Sequence, residues 1–223
     1  MRDRSRQASS QVADVLREKI LSLQLKPNET LSRAMLQDQF GVSQTPVRDA
    51  LLRLEQEGLI EVYPQSATLV SRIDVAAARQ AHFLRMAIEL EAVRDLATRS
   101  PEAGAARLKV HLTEQRRVAS LDLYEDFIAA DWNFHRVLYQ EAGLEGLWDL
   151  VRQRSSHFDR LRRLNLPLTG KVSTVLRDHE SLVLAVERGD PEGAAAVLRR
   201  HLSGTLTIIP EIRERYPDYL TAE

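Results

Sequence analysis

A chain of 223 residues, 43% hydrophobic and 28% charged, is long enough for two packed cores, and a formal net charge of −1 excludes binding through overall basicity or acidity. The absence of cysteine excludes a disulfide framework and thiolate chemistry and fits a reducing compartment. The polar, arginine-dotted start is no secretory signal and no apolar run approaches bilayer-spanning length, so the expected location is the cytoplasm, without a membrane partner.

In chain order, Val12, Val15, Leu16, Ile20 and Leu23 predict an amphipathic first helix, broken at Lys26-Pro27-Asn28. Leu31 to Phe40 supply a short second helix. Gly41 permits a left-handed corner, Ser43 or Thr45 can cap a third helix, and Pro46 falls in its first turn, where no amide hydrogen is needed. Val47, Ala50, Leu51 and Leu54 recur at helical spacing and face inward, which leaves Gln44, Thr45 and Arg48 facing out at the helix start. That end is the one such helices insert into a DNA major groove. After Gly58, Ile60-Glu61-Val62 and Thr68-Leu69-Val70 read as short strands joined by Tyr63-Pro64-Gln65-Ser66-Ala67. Three helices and a hairpin over residues 1–72 make a winged helix-turn-helix for double-stranded DNA, with Arg33, Ser43, Gln44, Thr45, Arg48, Gln65 and Ser66 as candidate contacts. Through Arg72 ten Lys and Arg stand against nine Asp and Glu, so any DNA footprint is a local patch. Arg2, Arg4 and Arg6 extend that patch as a flexible arm or form a solvated, disordered start.

Residues 73–223 change to long helical periods. Helices are expected from Asp74 to about Arg99, then to about Ser120, from about Leu123 to Gln140, Glu145 to Arg163, Val172 to Arg188, and from Pro191 toward Ile209-Pro210. The fold class is therefore mainly α: a winged helix-turn-helix followed by a six-helix antiparallel bundle. Asp131 and His135 lie one turn apart on a face that Phe127, Phe134 and Leu138 set against a core. His179 shares a stripe with Leu182, Val183 and Val186, and His201 shares one with Ala194, Val197 and Leu198. Each histidine is eleven residues from Asp190, so an antiparallel pair sets both roughly 16 Å from the turn, opposite each other. A lone histidine on an apolar stripe is usually an ordinary core residue. Three imidazoles and a carboxylate together would leave several buried polar groups in need of partners, which favours a divalent metal: zinc first, with nickel, manganese or iron(II) as alternatives.

Two stretches carry a family resemblance. Leu31-Ser32, Phe40-Gly41-Val42-Ser43-Gln44-Thr45-Pro46-Val47-Arg48-Asp49-Ala50-Leu51, Leu54 and Glu57-Gly58-Leu59-Ile60 resemble the amino-terminal reader of GntR-type bacterial transcription regulators. The chain departs from that pattern at Gln44, where arginine is usual, at Arg33-Ala34, where acidic then basic residues are usual, and at Ser66-Ala67, in place of an Arg-Gly pair. Glutamine pairs better with adenine than with guanine, so Gln44 predicts an operator unlike the common guanine-rich site. Further on, Asp131-Trp132-Asn133-Phe134-His135, His179-Glu180, Glu187-Arg188-Gly189-Asp190 and Arg200-His201-Leu202 resemble the FCD effector domain of the FadR branch, over roughly Ala76 to Tyr216. Gly143-Leu144-Glu145-Gly146 departs from it.

The FCD resemblance implies a divalent metal on Asp131, His135, His179 and His201, a small carboxylic acid as effector, and Arg85 as the effector's arginine. By symmetry and analogy it also implies a homodimer on two half-sites. The chain is expected not to be an enzyme. The competing reading, a metal-dependent hydrolase with an accessory DNA domain, needs a base beside the metal; Glu180 adjoins a ligand in sequence and should therefore face away from it. An architectural DNA-binding protein without a ligand is a third reading. Arg152, Arg154, Arg160, Arg162 and Arg163 read as a solvated face with at most one pocket member, the Glu-Arg alternation after Pro210 as a frayed end. His82, His111 and His157 lack a partner at ligand spacing, though His157 could line the same cavity.

Overall fold

The computed structural model describes residues 2–167 and 170–222, with side chains from Arg6 onward. Packing divides the chain into two compact units, Met1–Ala78 with Ser156–Arg163 and Glu211–Glu223, and Arg79–Ser155 with Leu164–Pro210.

The first unit is the winged helix-turn-helix. Helix α1 (Arg2–Leu21) packs on α3 (Gln44–Gln56), with α2 (Arg33–Phe40) against α3. Its first residues are helical rather than a loose arm, and Arg6 is exposed. Val12, Ala13, Leu16 and Ile20 bury the inner face of α1, while Val15 is turned outward. Ser32 caps α2 by accepting from the Met35 amide, and Gly41 ends it at φ 61°, the left-handed corner expected of a residue without a Cβ. Ser43 holds the N-cap position of α3 in extended conformation, with no side-chain capping bond. Val47, Ala50, Leu51 and Leu54 are buried beneath it.

Strands β1 (Ile60–Tyr63) and β2 (Ala67–Val70) form an antiparallel wing in the register Ile60 to Val70 and Tyr63 to Ala67. Each is one residue longer than the sequence reading. The α1–α2 connection also reaches the wing: the Leu31 amide donates to the Thr68 carbonyl at 2.8 Å and the Val70 amide to Glu29 at 2.9 Å. The wing is thus pinned by a segment with no strand-like period.

Among the described residues the second unit holds most of α4 (Val75–Arg99), then α5 (Pro101–Ala119), α6 (Tyr124–Glu141), α7 (Glu145–Arg154), α9 (Lys171–Glu187) and α10 (Pro191–Ser203). Helix α5 packs on α6 and α9, and α10 packs back on α9. Asp74 caps α4 by accepting from the Ala77 amide at 3.0 Å. Gly189, at φ 64°, turns the chain between α9 and α10, and Asp190 caps α10 through the Gly193 amide at 2.8 Å with Pro191 in the first turn.

The helix expected over Glu145 to Arg163 is instead two. Ser155 ends α7, its hydroxyl bonding back to the Val151 carbonyl at 2.7 Å, and α8 (Ser156–Asn165) begins at the next residue. Serine hydroxyls compete in this way with the helical ladder. Most of α8 packs with the first unit, as do residues 211–223, so the packing does not follow a single cut at residue 72. The sixth helix, expected to reach toward Ile209-Pro210, stops at Ser203 and is followed by a 3-10 turn (Leu206–Ile208) and α11 (Ile209–Arg215); the stretch after Pro210, expected to fray, buries Ile212 and Leu220. A parallel bridge then pairs Ile73 with Leu220.

Candidate metal centre and nucleic-acid interface

Asp131, His135, His179 and His201 come together, each offering a ligand atom within 4.8 Å of the others. Helical spacing places Asp131 and His135 on one face of α6, and the α9–α10 hairpin brings His179 opposite His201. The Nε2 atoms of His135 and His179 lie 3.1 and 3.2 Å from that of His201. Asp131 oxygens stand 3.8 Å from His135 Nε2 and 3.7 Å from His179 Nε2. His179 is further held by a stacked Phe134 ring, centroids 3.9 Å apart.

The opposite nitrogens of His135 and His179 each face a hydrogen-bond acceptor. His135 Nδ1 lies 2.7 Å from Glu89, whose carboxylate accepts only. Burial alone would raise that carboxyl, but the Arg85 guanidinium and His135 outweigh it and hold it down at about 2. His179 Nδ1 lies 2.7 Å from Gln115 Oε1, and the Gln115 amide nitrogen donates to Asp131 at 3.2 Å. His201 Nδ1 faces Asp178 at 3.7 Å. With Nδ1 as the donor in His135 and His179, their Nε2 lone pairs converge with the His201 Nε2 beside a carboxylate. Two lone pairs about 3 Å apart cannot bond to each other, whereas a zinc-sized cation, with Zn–N near 2.0–2.1 Å, accepts both. The donor set therefore fits a divalent metal.

Electrostatics favour the neutral imidazole at His135 and His179, the form that metal ligation requires. Burial, then Arg85, lowers His135 to about 4 against the pull of Glu89 and Asp131. Burial, then His201, lowers His179 well below the usual histidine range. Tyr139 donates to Glu89 at 3.3 Å, and burial followed by that carboxylate raises its phenol.

Arg85 is buried rather than at the surface. It bonds Glu89 through Nε at 2.7 Å, and its guanidinium lies 4.4 Å from the Trp132 ring centroid. Burial opposes its charge, yet Glu89 and then Asp131 raise it above the ordinary arginine value. Its Nη2 is buried without a hydrogen-bond partner. Glu180 turns away from the cluster and pairs with Arg116 at the surface.

Sequence reasoning missed Gln115 and the part that Glu89 plays. Gln115 is fully buried between two candidate ligands, yet a glutamine on the exposed-looking stretch Thr113-Glu114-Gln115-Arg116-Arg117 carries no signal of that. His157 does not join the cluster: it belongs to the first unit, where its Nδ1 accepts from the Asp74 amide at 3.0 Å.

In the first unit Arg33, Ser43, Gln44, Thr45 and Arg48 are exposed, with Gln65 and Ser66 exposed at the wing tip. Gln65 adopts φ 58° and the Ser66 amide closes the turn onto Tyr63 at 3.1 Å. Arg48 meets Asp49 only at 3.5 Å. The start of α3 thus offers hydroxyl, amide and guanidinium groups unburdened by the core.

Both units have counterparts among known proteins. The family described as bacterial regulatory proteins, gntR family, matches residues 8–70, and the FCD domain matches residues 80–204. The chain belongs to the GntR family. It is a transcriptional regulator with an FCD domain. Along 93% of its length it is 36% identical to a Streptomyces ambofaciens protein described as an uncharacterized HTH-type transcriptional regulator in an unstable DNA locus, covering 87% of that protein. It is 28% identical, over 96% of its own length and 94% of the other's, to the Escherichia coli HTH-type transcriptional repressor RspR. Among solved structures, E. coli McbR/YncC matches with TM-score 0.72 at 23% identity, covering 92% of this chain and 97% of that one. The fold of this GntR regulator is theirs. Among its described residues no helix is long and apolar enough to cross a membrane.

Proposed function

We propose that this GntR regulator binds a DNA operator as a homodimer in the cytoplasm, and that a small carboxylic acid held at or near a divalent metal modulates that binding. The observation that carries the reading is the convergence of three Nε2 atoms and Asp131, with Nδ1 of each ring facing Glu89, Gln115 or Asp178. Asp131, His135, His179 and His201 would hold the ion, zinc first among nickel, manganese and iron. When bound, a divalent ion supplies positive charge and open positions for an oxygen ligand.

The chain's own residues then do the orienting. Glu89 and Gln115 fix the His135 and His179 rings, and Gln115 also steadies Asp131. Arg85, already held by Glu89 and Trp132, has Nη2 to give to a carboxylate. In the reader, Gln44, Thr45 and Arg48 would enter the major groove with Arg33 and Ser43 at its edge, and Gln65 and Ser66 would follow the wing. The hydrolase reading loses its one candidate base, because Glu180 is engaged with Arg116 at the surface.

Native mass spectrometry of the purified protein tests metal, retained small molecule and subunit count together. The expected result is a dimer with one divalent ion per subunit. Operator binding that ignores both a chelator and a panel of small carboxylic acids would overturn the modulation.

A further inference from the structure

Arg160 is a fully buried arginine with no part in the histidine cluster. It lies on α8, where Phe158, Asp159, Arg160 and Leu161 are buried in succession, so that stretch is covered on every side. Its Nη1 donates to the Ser71 carbonyl at 2.7 Å, and its Nη2 reaches the Ser71 hydroxyl at 3.2 Å and His157 Nδ1 at 2.8 Å. The Ser71 hydroxyl donates onward to the Gly58 carbonyl at 2.7 Å, and the Ser71 amide to the Leu59 carbonyl at 3.0 Å. One guanidinium therefore grips the exit of β2 and, through Ser71, the corner that ends α3.

His157 extends the grip. Its Nδ1 accepts from the amide of Asp74, the residue that caps α4. Its Nε2 approaches Gly58 so closely that a Cβ there would meet it at 3.3 Å. From the other side, the Ile73 amide donates to Tyr219 at 2.7 Å and the Thr221 amide to the Ile73 carbonyl at 3.0 Å. The segment Ser71–Asp74, which leads from the wing into α4, is thus clasped by two stretches distant in sequence.

Arginine is a costly way to fill this space. Its partners are carbonyls, a hydroxyl and an imidazole, its Nε has none, and burial lowers it to about 10, so it stays charged at neutral pH. An apolar side chain would serve packing at less desolvation cost, so what the guanidinium adds is direction: several bonds from one rigid plane. In sequence, α8 directly follows α7 and is joined to His179-bearing α9 by residues 166–170. Within the first unit, a shift of α8 would reach Ser71 through this side chain.

We propose that Arg160 is a positioning residue for DNA reading, which passes the setting of α8 to the wing exit and to the end of α3. This rests on the reading above that the metal site governs operator affinity, and the test separates the two. A duplex selected by the wild-type protein is titrated with zinc-loaded and chelator-treated protein, for wild type, Arg160→Met and Arg160→Lys, alongside metal content and hydrogen exchange at the Ser71, Ile73 and Asp74 amides.

The expected result is an affinity ratio of tenfold or more between the two states in wild type that collapses below twofold in Arg160→Met, at unchanged metal content, with partial recovery in Arg160→Lys. If the Met variant does not fold, the Lys variant alone decides, with a ratio clearly below wild type expected. A wild-type ratio in whichever variant folds overturns the proposal. If wild-type operator binding ignores the metal, the modulation has failed instead, and exchange decides: a metal-dependent change at Ser71–Asp74 that Arg160→Met abolishes supports the role, and its absence in wild type overturns it.

Discussion

The two units place their chemistry on opposite sides of their cores. In the reader an apolar core of Leu16, Ile20, Val47, Leu51 and Leu54 supports polar residues that face outward and take no part in packing. In the second unit, Glu89, Gln115, Asp131, His135 and His179 are themselves core, each 1% exposed or less. Recognition in the first can therefore change without touching the fold, whereas every change in the second must leave no buried polar atom stranded. The exposed Gln44 and wing tip, where the chain departs from the usual family pattern, fall on the permissive side of that divide.

The comparison is most easily broken at Glu89. Replacing it with leucine strips Arg85 and His135 of their shared carboxylate, so a loss of about 3–5 kcal/mol is expected in urea unfolding. A near-neutral result would mean that the buried network is not under the constraint described. Gln115→Leu should act on metal rather than fold, weakening zinc binding roughly 10–100-fold in calorimetric titration. On the reader side, Arg48→Ala should cost about 1–3 kcal/mol of operator affinity while unfolding stability stays within about 0.5 kcal/mol. Equal losses in both would erase the contrast.

The smallest effect concerns acid. Burial, then Arg160, lowers His157 to about 4, with Asp74 opposing, so between that value and the unfolded 6.5 the folded state binds fewer protons than the unfolded one. Its contribution is complete above pH 6.5 and is lost as pH falls toward 4. On the order of 1–2 kcal/mol should disappear across that window, and His157→Gln should flatten that part of the pH–stability curve. An unchanged slope in the variant would assign the acid sensitivity elsewhere.

What could be read from the residues follows the range over which each signal acts. The reader is local: Gly41, Pro46 and the Val47-Ala50-Leu51-Leu54 stripe are decided within a few residues. The four clustered side chains were also legible, because helical period and one tight turn are enough to bring Asp131 to His135 and His179 to His201. Gln115 and Asp178 were not, since a partner contributed by another helix leaves no period of its own. The break at Ser155 was hidden because Val151, Phe158 and Leu161 stay in phase across it. Arg160 was misread with its arginine neighbours as solvated, because local charge density is blind to what covers a helix from a distant stretch. After Pro210 the Glu-Arg alternation masks an ordered end, because Ile212 and Leu220 are isolated apolar residues whose burial shows only in the fold.

The bridge from Ile73 to Leu220 bears on how the molecule is made. Its second partner is translated about 147 residues after Ile73, roughly 7–30 s later at ordinary elongation rates. Until then the hinge below the wing lacks one of its two clasps. On the growing chain Ser71–Asp74 can therefore be held by Arg160 and His157 before residues 219–221 add the second clasp.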